Sequence, residues 1–238
     1  MLPFLLSFTN KRKISYASSI VNMSDHELEK IKPYLQRFNH ISCRERKAAE
    51  RLTNLLQRKV DNVLDPTLLL EADEWNSLIE EKSYNNCGYI LYYSLNSYSK
   101  VKKDLKYLSS LSSHLDLKIL VLTPLIPCVK DHNIYNIIDA GPLDFIKLLK
   151  NSYYVVTDSY HGMLFSINFK KNFYLLNQSG DHGVRANDVL SSLNLLSRSI
   201  DSIEKIDLKS IINYETAFQA LNILRDKSIR YLKNALEQ

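Results

Sequence analysis

Glycine is scarce in this sequence. Five of 238 residues are glycine, about 2% where proteins ordinarily carry roughly 7%. Gly88, Gly141, Gly162, Gly180 and Gly183 fit neither G-x-G-x-x-G nor G-x-x-x-x-G-K-[ST], so the common glycine-rich cradles for dinucleotides and nucleoside triphosphates are excluded. Cysteine is scarcer still. Cys43, Cys87 and Cys128 are odd in number, widely spaced and without a C-x-x-C pair, which excludes a disulfide framework and a cysteine-built zinc site and suits a reducing, cytoplasmic setting. No apolar run approaches the roughly 18 residues that span a bilayer. The opening MLPFLLSF lacks the basic stretch and cleavage site of a signal peptide and reads as a strand. Nor does one sign of charge dominate. Lys and Arg number 31 against 26 Asp and Glu, a net +5. Short runs such as NKRK at 10–13 and RERK at 44–47 suit solvated faces, and no long basic stripe favours nucleic acid. The mild excess favours acidic small substrates or an anionic membrane surface.

What the sequence has is alternation of strand-like and helix-like segments. Leu2–Phe8 and Ile14–Ala17 suit strands. Ser24 and Glu27 form a capping box ahead of Leu28, Ile31, Leu35 and Phe38 on one helical face, with Pro33 inside it. A strand over His40–Cys43 leads to a helix marked by Ala49, Leu52 and Leu56. Further on, Tyr89–Tyr93 reads as a compact apolar and aromatic strand, Leu117–Leu122 as a strand buried on both faces, and Val101, Leu105, Leu108 and Leu115 as a helical stripe. Gly141-Pro142 opens a helix carrying Leu143, Phe145, Ile146 and Leu149. Tyr153–Thr157 reads as a strand, Met163–Phe169 as a helix, Phe173–Leu176 as a strand, and 213–236 as a long closing helix. This order predicts an α/β fold with parallel sheets. Asp65-Pro66 marks a break, giving a first unit over 1–68 and a second over 69–238 that includes the closing helix.

The segment TDSYHGMLFS at 157–166 is the strongest site candidate. Asp158, Ser159, Tyr160, His161 and Gly162 follow a buried strand and precede a helix, where parallel sheets collect ligands and a helix start favours anions. His161 is placed to bind or protonate an anionic substrate, and Gly162 to admit the ligand close to the backbone. The plain alternative is a capped turn with a packed histidine. Arg44 in ISCRER also follows a strand, so its guanidinium either grips carboxylate or phosphate or pairs with Glu45 or Glu50. Asp65 and Thr67 flank Pro66 in what reads as a linker turn. His182 and Arg185 lie in SGDHGVRAND, read as a polar surface loop that reaches a ligand if it is near one. The remaining histidines lack partners at metal-ligand spacing, so no metal is expected.

Taken together, KISYASS at 13–19, ISCRERKAAERL at 41–52, VLDPTLLL at 63–70 with Trp75 after it, and GPLDFIKLLKNSYYVVTDSYHGMLFSINFKKNFYLL at 141–176 resemble the polysaccharide pyruvyl transferase family. The resemblance implies a GT-B-like fold of two Rossmann-type units. It also implies transfer of an enolpyruvyl group from phosphoenolpyruvate, as donor substrate and with no further cofactor, to a sugar of an exported or cell-surface polysaccharide. His161 and Arg44 then match the family's donor-site histidine and arginine as catalytic residues, with Asp158, Ser159, Tyr160, Gly162 and Arg185 binding substrate. Some members carry arginine two residues before that histidine, where this chain has Ser159. The expected partners are phosphoenolpyruvate and a glycan acceptor, lipid-linked or free, at the inner face of the membrane, with no nucleic acid. Members have further strands before the part that matches MLPFLLSF, so the resemblance implies an incomplete first unit. A nucleotide-sugar glycosyltransferase and an inactive remnant stand as the competing expectations.

Overall fold

The structure is a computed structural model of the chain that describes residues 8–79, 88–124, 131–176 and 181–237, with the backbone alone at 181, 182 and 184. The strand expected over Leu2–Phe8 lies outside the described residues apart from Phe8, which sits in a turn. Two compact units are present, one of Met1–Leu69 with Phe218–Gln238 and one of Leu70–Ala217.

In the first unit β1 (Ile14–Ser18), β2 (His40–Cys43) and β3 (Asp61–Asn62) form a parallel sheet in that order. Helix α1 (Asp25–Leu35) starts at the expected box: the Glu27 amide donates to Ser24 Oγ and the Ser24 amide to Glu27 Oε2. Leu28, Ile31, Leu35 and Phe38 pack with Ala49, Leu52 and Leu56 of α2 (Arg46–Leu56) over Ile41 and Cys43. Burial pushes the Cys43 thiol up to about 12, so it is an inert core residue.

The last helix, α8 (Tyr214–Glu237), belongs from Phe218 onward to this first unit, whereas its composition alone gave no reason to separate it from the second. The cause is a set of polar ties to backbone groups of β1 and of the segment that follows β3. Tyr231 donates its hydroxyl to Ser15 O at 2.9 Å, the Leu64 amide donates to Ser228 Oγ at 2.9 Å, and Arg225 Nε donates to Leu68 O at 2.9 Å.

After α3 (Ala72–Asn76), the second unit contains a six-stranded, wholly parallel sheet. Its strands are β4 (Tyr89–Tyr93), β5 (Lys118–Leu122), β6 (Ile134–Ile137), β7 (Tyr154–Thr157), β8 (Asn172–Leu176) and β9 (Ser199–Ile200), in the spatial order β6-β5-β4-β7-β8-β9. That is the doubly wound order 3-2-1-4-5-6. The intervening helices are α4 (Tyr98–Ser113), α5 (Pro142–Asn151), α6 (Tyr160–Asn168) and α7 (Asp181–Ser192). Val101, Leu105 and Leu108 are buried, but Leu115 is exposed because α4 ends at Ser113; Leu143, in the first turn of α5, is likewise exposed while Ile146 and Leu149 are buried. The segment read as a loop around Arg185 is helix α7, whose buried Ala186 and Leu190 lie four residues apart on one face.

Candidate functional site

In the second unit the chain leaves β4 toward β5 on one side and returns to β7 on the other. The carboxyl ends of β4 and β7 therefore flank the point where the winding reverses, the place at which open parallel sheets form a ligand crevice. Two short segments meet there, Ser94–Ser97 after β4 and Asp158–Ser159 after β7. Asp158, nine-tenths buried, joins them. Its carboxylate accepts from the Leu95 amide at 2.8 Å, from Asn96 Nδ2 at 2.7 Å and from the Ser94 hydroxyl. Behind this clamp, the Tyr92 hydroxyl donates to Asp104 at 2.9 Å within the core. Burial, followed by the neighbouring Asp104 charge, raises the Tyr92 phenol well above its ordinary range, and burial raises the Asp104 carboxyl.

The start of α6 is fixed by its own sequence. Thr157 Oγ1 accepts from the Ser159 amide at 3.0 Å, and Ser159 Oγ caps the helix by accepting from the Gly162 amide at 3.3 Å. A Cβ on Gly162 would stand 2.6 Å from Thr157 Oγ1 and 3.0 Å from Tyr93 Cδ1. The smallness of Gly162 thus serves the packing of the helix start on the strand ends, a reason different from the ligand approach expected for it. Every residue of α6 is buried except His161, which is exposed. The His161 ring meets Tyr160 edge to face at 5.6 Å between centroids, and the Arg185 guanidinium lies 4.6 Å from the centroid of the same Tyr160 ring. Helix α7 therefore brings Arg185 to the tyrosine that precedes His161. The side chain of His182 lies outside the description.

Arg44 is in the first unit, just past β2, at the carboxyl edge of the three-stranded sheet. Its Nε donates to Glu45 Oε1 at 3.2 Å and its Nη1 to Asp65 Oδ2 at 3.0 Å. Both carboxylates are buried; Glu45 also accepts from Ser19 Oγ at 2.8 Å, and Asp65 from the Thr67 amide at 3.1 Å. The Asp65 turn that read as a linker is thus an anchor for Arg44. The sequence-predicted residues fall into two groups. Asp158, Ser159, Tyr160, His161, Gly162 and Arg185 gather at the switch point of the six-stranded sheet, and Arg44 sits with Glu45 and Asp65 in the other unit. Reading residue by residue missed Ser94, Leu95 and Asn96, because their bond to Asp158 spans more than sixty positions; the one available signal was that they follow the central strand, where a parallel sheet places its ligands.

Among the described residues, no helix is long and apolar enough to cross a membrane, and no group of three or more metal-ligating side chains comes together. Comparison with solved structures places the fold. A S. aureus MnaA–UDP co-structure aligns with a TM-score of 0.55 at 12% identity, over 92% of this chain and 60% of that one. The UDP-GlcNAc 2-epimerase from Methanocaldococcus jannaschii aligns at 0.50 with 14% identity, over 89% and 62%. A glycotransferase of kitacinnamycin matches over 74% of this chain and 44% of its own, at 13% identity and a TM-score of 0.41. The chain thus spans between 44% and 62% of the length of these structures. No curated protein sequence matches significantly. The first two likenesses show a fold of the GT-B-like type, built from Rossmann-type parallel sheets with flanking helices. Residues 1–180, three-quarters of the sequence, match the family described as polysaccharide pyruvyl transferase, and the chain belongs to that transferase family.

Proposed function

We propose that the chain takes part in transferring the enolpyruvyl group of phosphoenolpyruvate to a sugar of an exported or cell-surface glycan, with the donor bound at the β4/β7 switch point. The observation that carries this reading is His161: the single exposed residue of an otherwise buried helix, at the carboxyl edge of the sheet where the winding reverses. Arg185, over the Tyr160 ring, supplies a cation to the site in place of the arginine that some family members carry where this chain has Ser159. Asp158 and Ser159 shape the site and leave donor contact to their neighbours, since their side chains are engaged with Leu95, Asn96 and Gly162. Arg44, anchored by Glu45 and Asp65, is the corresponding residue of the first unit.

The chemistry requires a proton donor. His161 delivers a proton to C3 of the enol, and C2 becomes oxocarbenium-like. A sugar hydroxyl forms the new C2–O bond and gives up its proton. The C2–O bond to phosphate then breaks, and inorganic phosphate leaves. A second hydroxyl of the same sugar adds to C2 and loses its proton, closing the pyruvate ketal. The site's proton relay must therefore accept from the acceptor as well as donate to the donor, a cycle that imidazole can run because both its forms are accessible near neutral pH. The test is phosphate release from phosphoenolpyruvate across a panel of glycan acceptors, with mass spectrometry of the products. Acceptor-dependent release with a pyruvylated product is expected from the parent chain and not from His161→Ala.

A second reading, a nucleotide-sugar enzyme using the same switch point, is favoured by one observation: the S. aureus neighbour is a complex with UDP. It predicts that a UDP-sugar outcompetes phosphoenolpyruvate for the site.

A further inference from the structure

The amino ends of β1 and β2 in the first unit border a cavity of about 740 Å³, lined by Lys11, Arg12, Lys13, Arg37 and His40 together with Asn10 and Asn39. Among the described residues, no aspartate or glutamate lines it. The two lysines and two arginines place a formal +4 around one cavity in a chain whose net charge is +5, so the rest of the molecule is nearly balanced and this is where its basic excess is spent.

Neutral groups take part in holding the cluster in place. The Lys13 amide donates to Asn39 Oδ1 at 3.0 Å and the Asn39 amide to Lys13 O at 2.9 Å, tying the two segments together. Arg37 donates to Thr9 O at 2.9 Å and to Asn10 Oδ1 at 3.0 Å, and the buried Lys13 Nζ donates to Thr9 O at 2.7 Å. Arg12 reaches the Ala235 carbonyl near the end of α8 and lies 3.4 Å from His40 Nε2. Burial, and after it the charge of Arg37, lowers the Lys13 pKa.

Such a basic concavity rewards a ligand that carries more than one negative charge, because the exposed cations Lys11, Arg12 and Arg37 each contribute and their mutual repulsion is relieved. Guanidinium forks and ammonium groups match the geometry of phosphoryl oxygens. The cavity is also far larger than a single phosphate needs, leaving room for a second phosphoryl group and whatever it is esterified to. We propose that this cavity binds a diphosphate-bearing ligand through its phosphoryl oxygens. The residues involved are distinct from those of the pyruvyl-transfer site, so the two readings stand or fall separately. The diphosphate has two possible sources, a soluble ester such as a nucleoside diphosphate or a lipid-linked diphosphate presented at a membrane surface.

The test is calorimetric titration of the full chain with sodium pyrophosphate at low ionic strength. Single-site binding is expected, weakened at least tenfold in Lys11→Glu and in the double variant Lys11→Gln/Arg12→Gln, and unchanged in His161→Ala. Lys11 is exposed, so its substitution leaves the core intact, and a thermal melt coincident with the parent's verifies this. Titration with UDP, alongside co-sedimentation with phosphatidylcholine vesicles containing farnesyl diphosphate, then separates the soluble from the lipid source. Failure to bind pyrophosphate, or binding lost in His161→Ala but retained in Lys11→Glu, overturns the proposal.

Discussion

The Asp158 carboxylate accepts a hydrogen bond from the Leu95 main-chain amide at 2.8 Å, joining the segments that follow the two central strands of the six-stranded sheet. Asn96 and Ser94 complete the contact. Asp158→Asn replaces one accepting oxygen by an NH2 facing donors, so at least one buried donor loses its partner. A stability loss of about 1–3 kcal/mol is expected, measured by urea denaturation; an unchanged midpoint would show that the clamp is not formed in solution.

His161 should behave in the opposite way. It is exposed in an otherwise buried helix, so His161→Ala should change stability by no more than about 0.5 kcal/mol. The account assigns it the proton at C3, so the same variant should lose pyruvyl transfer. Circular dichroism melts and phosphate release on the same preparation check both halves.

Gly162→Ala puts an ordinary intrinsic preference against a steric one. Alanine is favoured over glycine in a helix by about 1 kcal/mol. Here its Cβ would meet Thr157 Oγ1 at 2.6 Å, on a fully buried side chain that already accepts from the Ser159 amide. Overpacking of this kind costs about 1–3 kcal/mol, so the clash should win and the melting temperature should fall.

Arg185→Gln should raise KM for phosphoenolpyruvate with little effect on folding, and Arg185→Lys should restore part of the loss by returning the charge without the guanidinium's contact with the Tyr160 ring. Steady-state kinetics with the donor varied would distinguish this from a purely structural role, which would lower kcat and KM effects together with stability.

Asp104 provides a pH signature. Burial raises its carboxyl pKa in the folded chain, so between the ordinary carboxylate value of about 3.9 and the raised folded value the native state binds more protons than the unfolded one. Stability therefore falls as pH rises through that window. Asn at this position keeps an acceptor for the Tyr92 hydroxyl without a charge to bury. The stability of Asp104→Asn relative to the parent should increase from acid to neutral pH, read from denaturation curves across the range; a difference that shrinks with pH would contradict the sign.

Local rules made much of this fold legible. Ser24 and Glu27 fixed one helix start, Gly141-Pro142 another, and the compact apolar and aromatic run at Tyr89–Tyr93 marked a strand. The burial on both faces expected of Leu117–Leu122 does not hold: in β5 only Ile119 and Val121 are buried, because their alternate neighbours face away from the core. The misses have physical causes. In β6, Tyr135 and Asn136 are exposed, so a short edge strand shows no apolar run. In α7, Gly183 and several polar residues hid a helical face that rests on Ala186 and Leu190. The affiliation of α8 depends on Tyr231, Ser228 and Arg225 finding partners at Ser15, Leu64 and Leu68, contacts between residues far apart in sequence. The site followed the same division. The histidine and its turn were readable from strand, cap and helix in succession, whereas the approach of Arg185 to Tyr160 and the bonds of Asp158 to the β4 segment arise only when the sheet assembles.

The central claim is that phosphoenolpyruvate is the donor and that His161 meets it. Isothermal titration of phosphoenolpyruvate and of UDP-N-acetylglucosamine into the parent chain and into His161→Ala tests it most directly. Tighter binding of phosphoenolpyruvate than of the nucleotide sugar, weakened at least tenfold by the substitution, is the predicted result. Preferential binding of the nucleotide sugar, or phosphoenolpyruvate binding indifferent to residue 161, would contradict it.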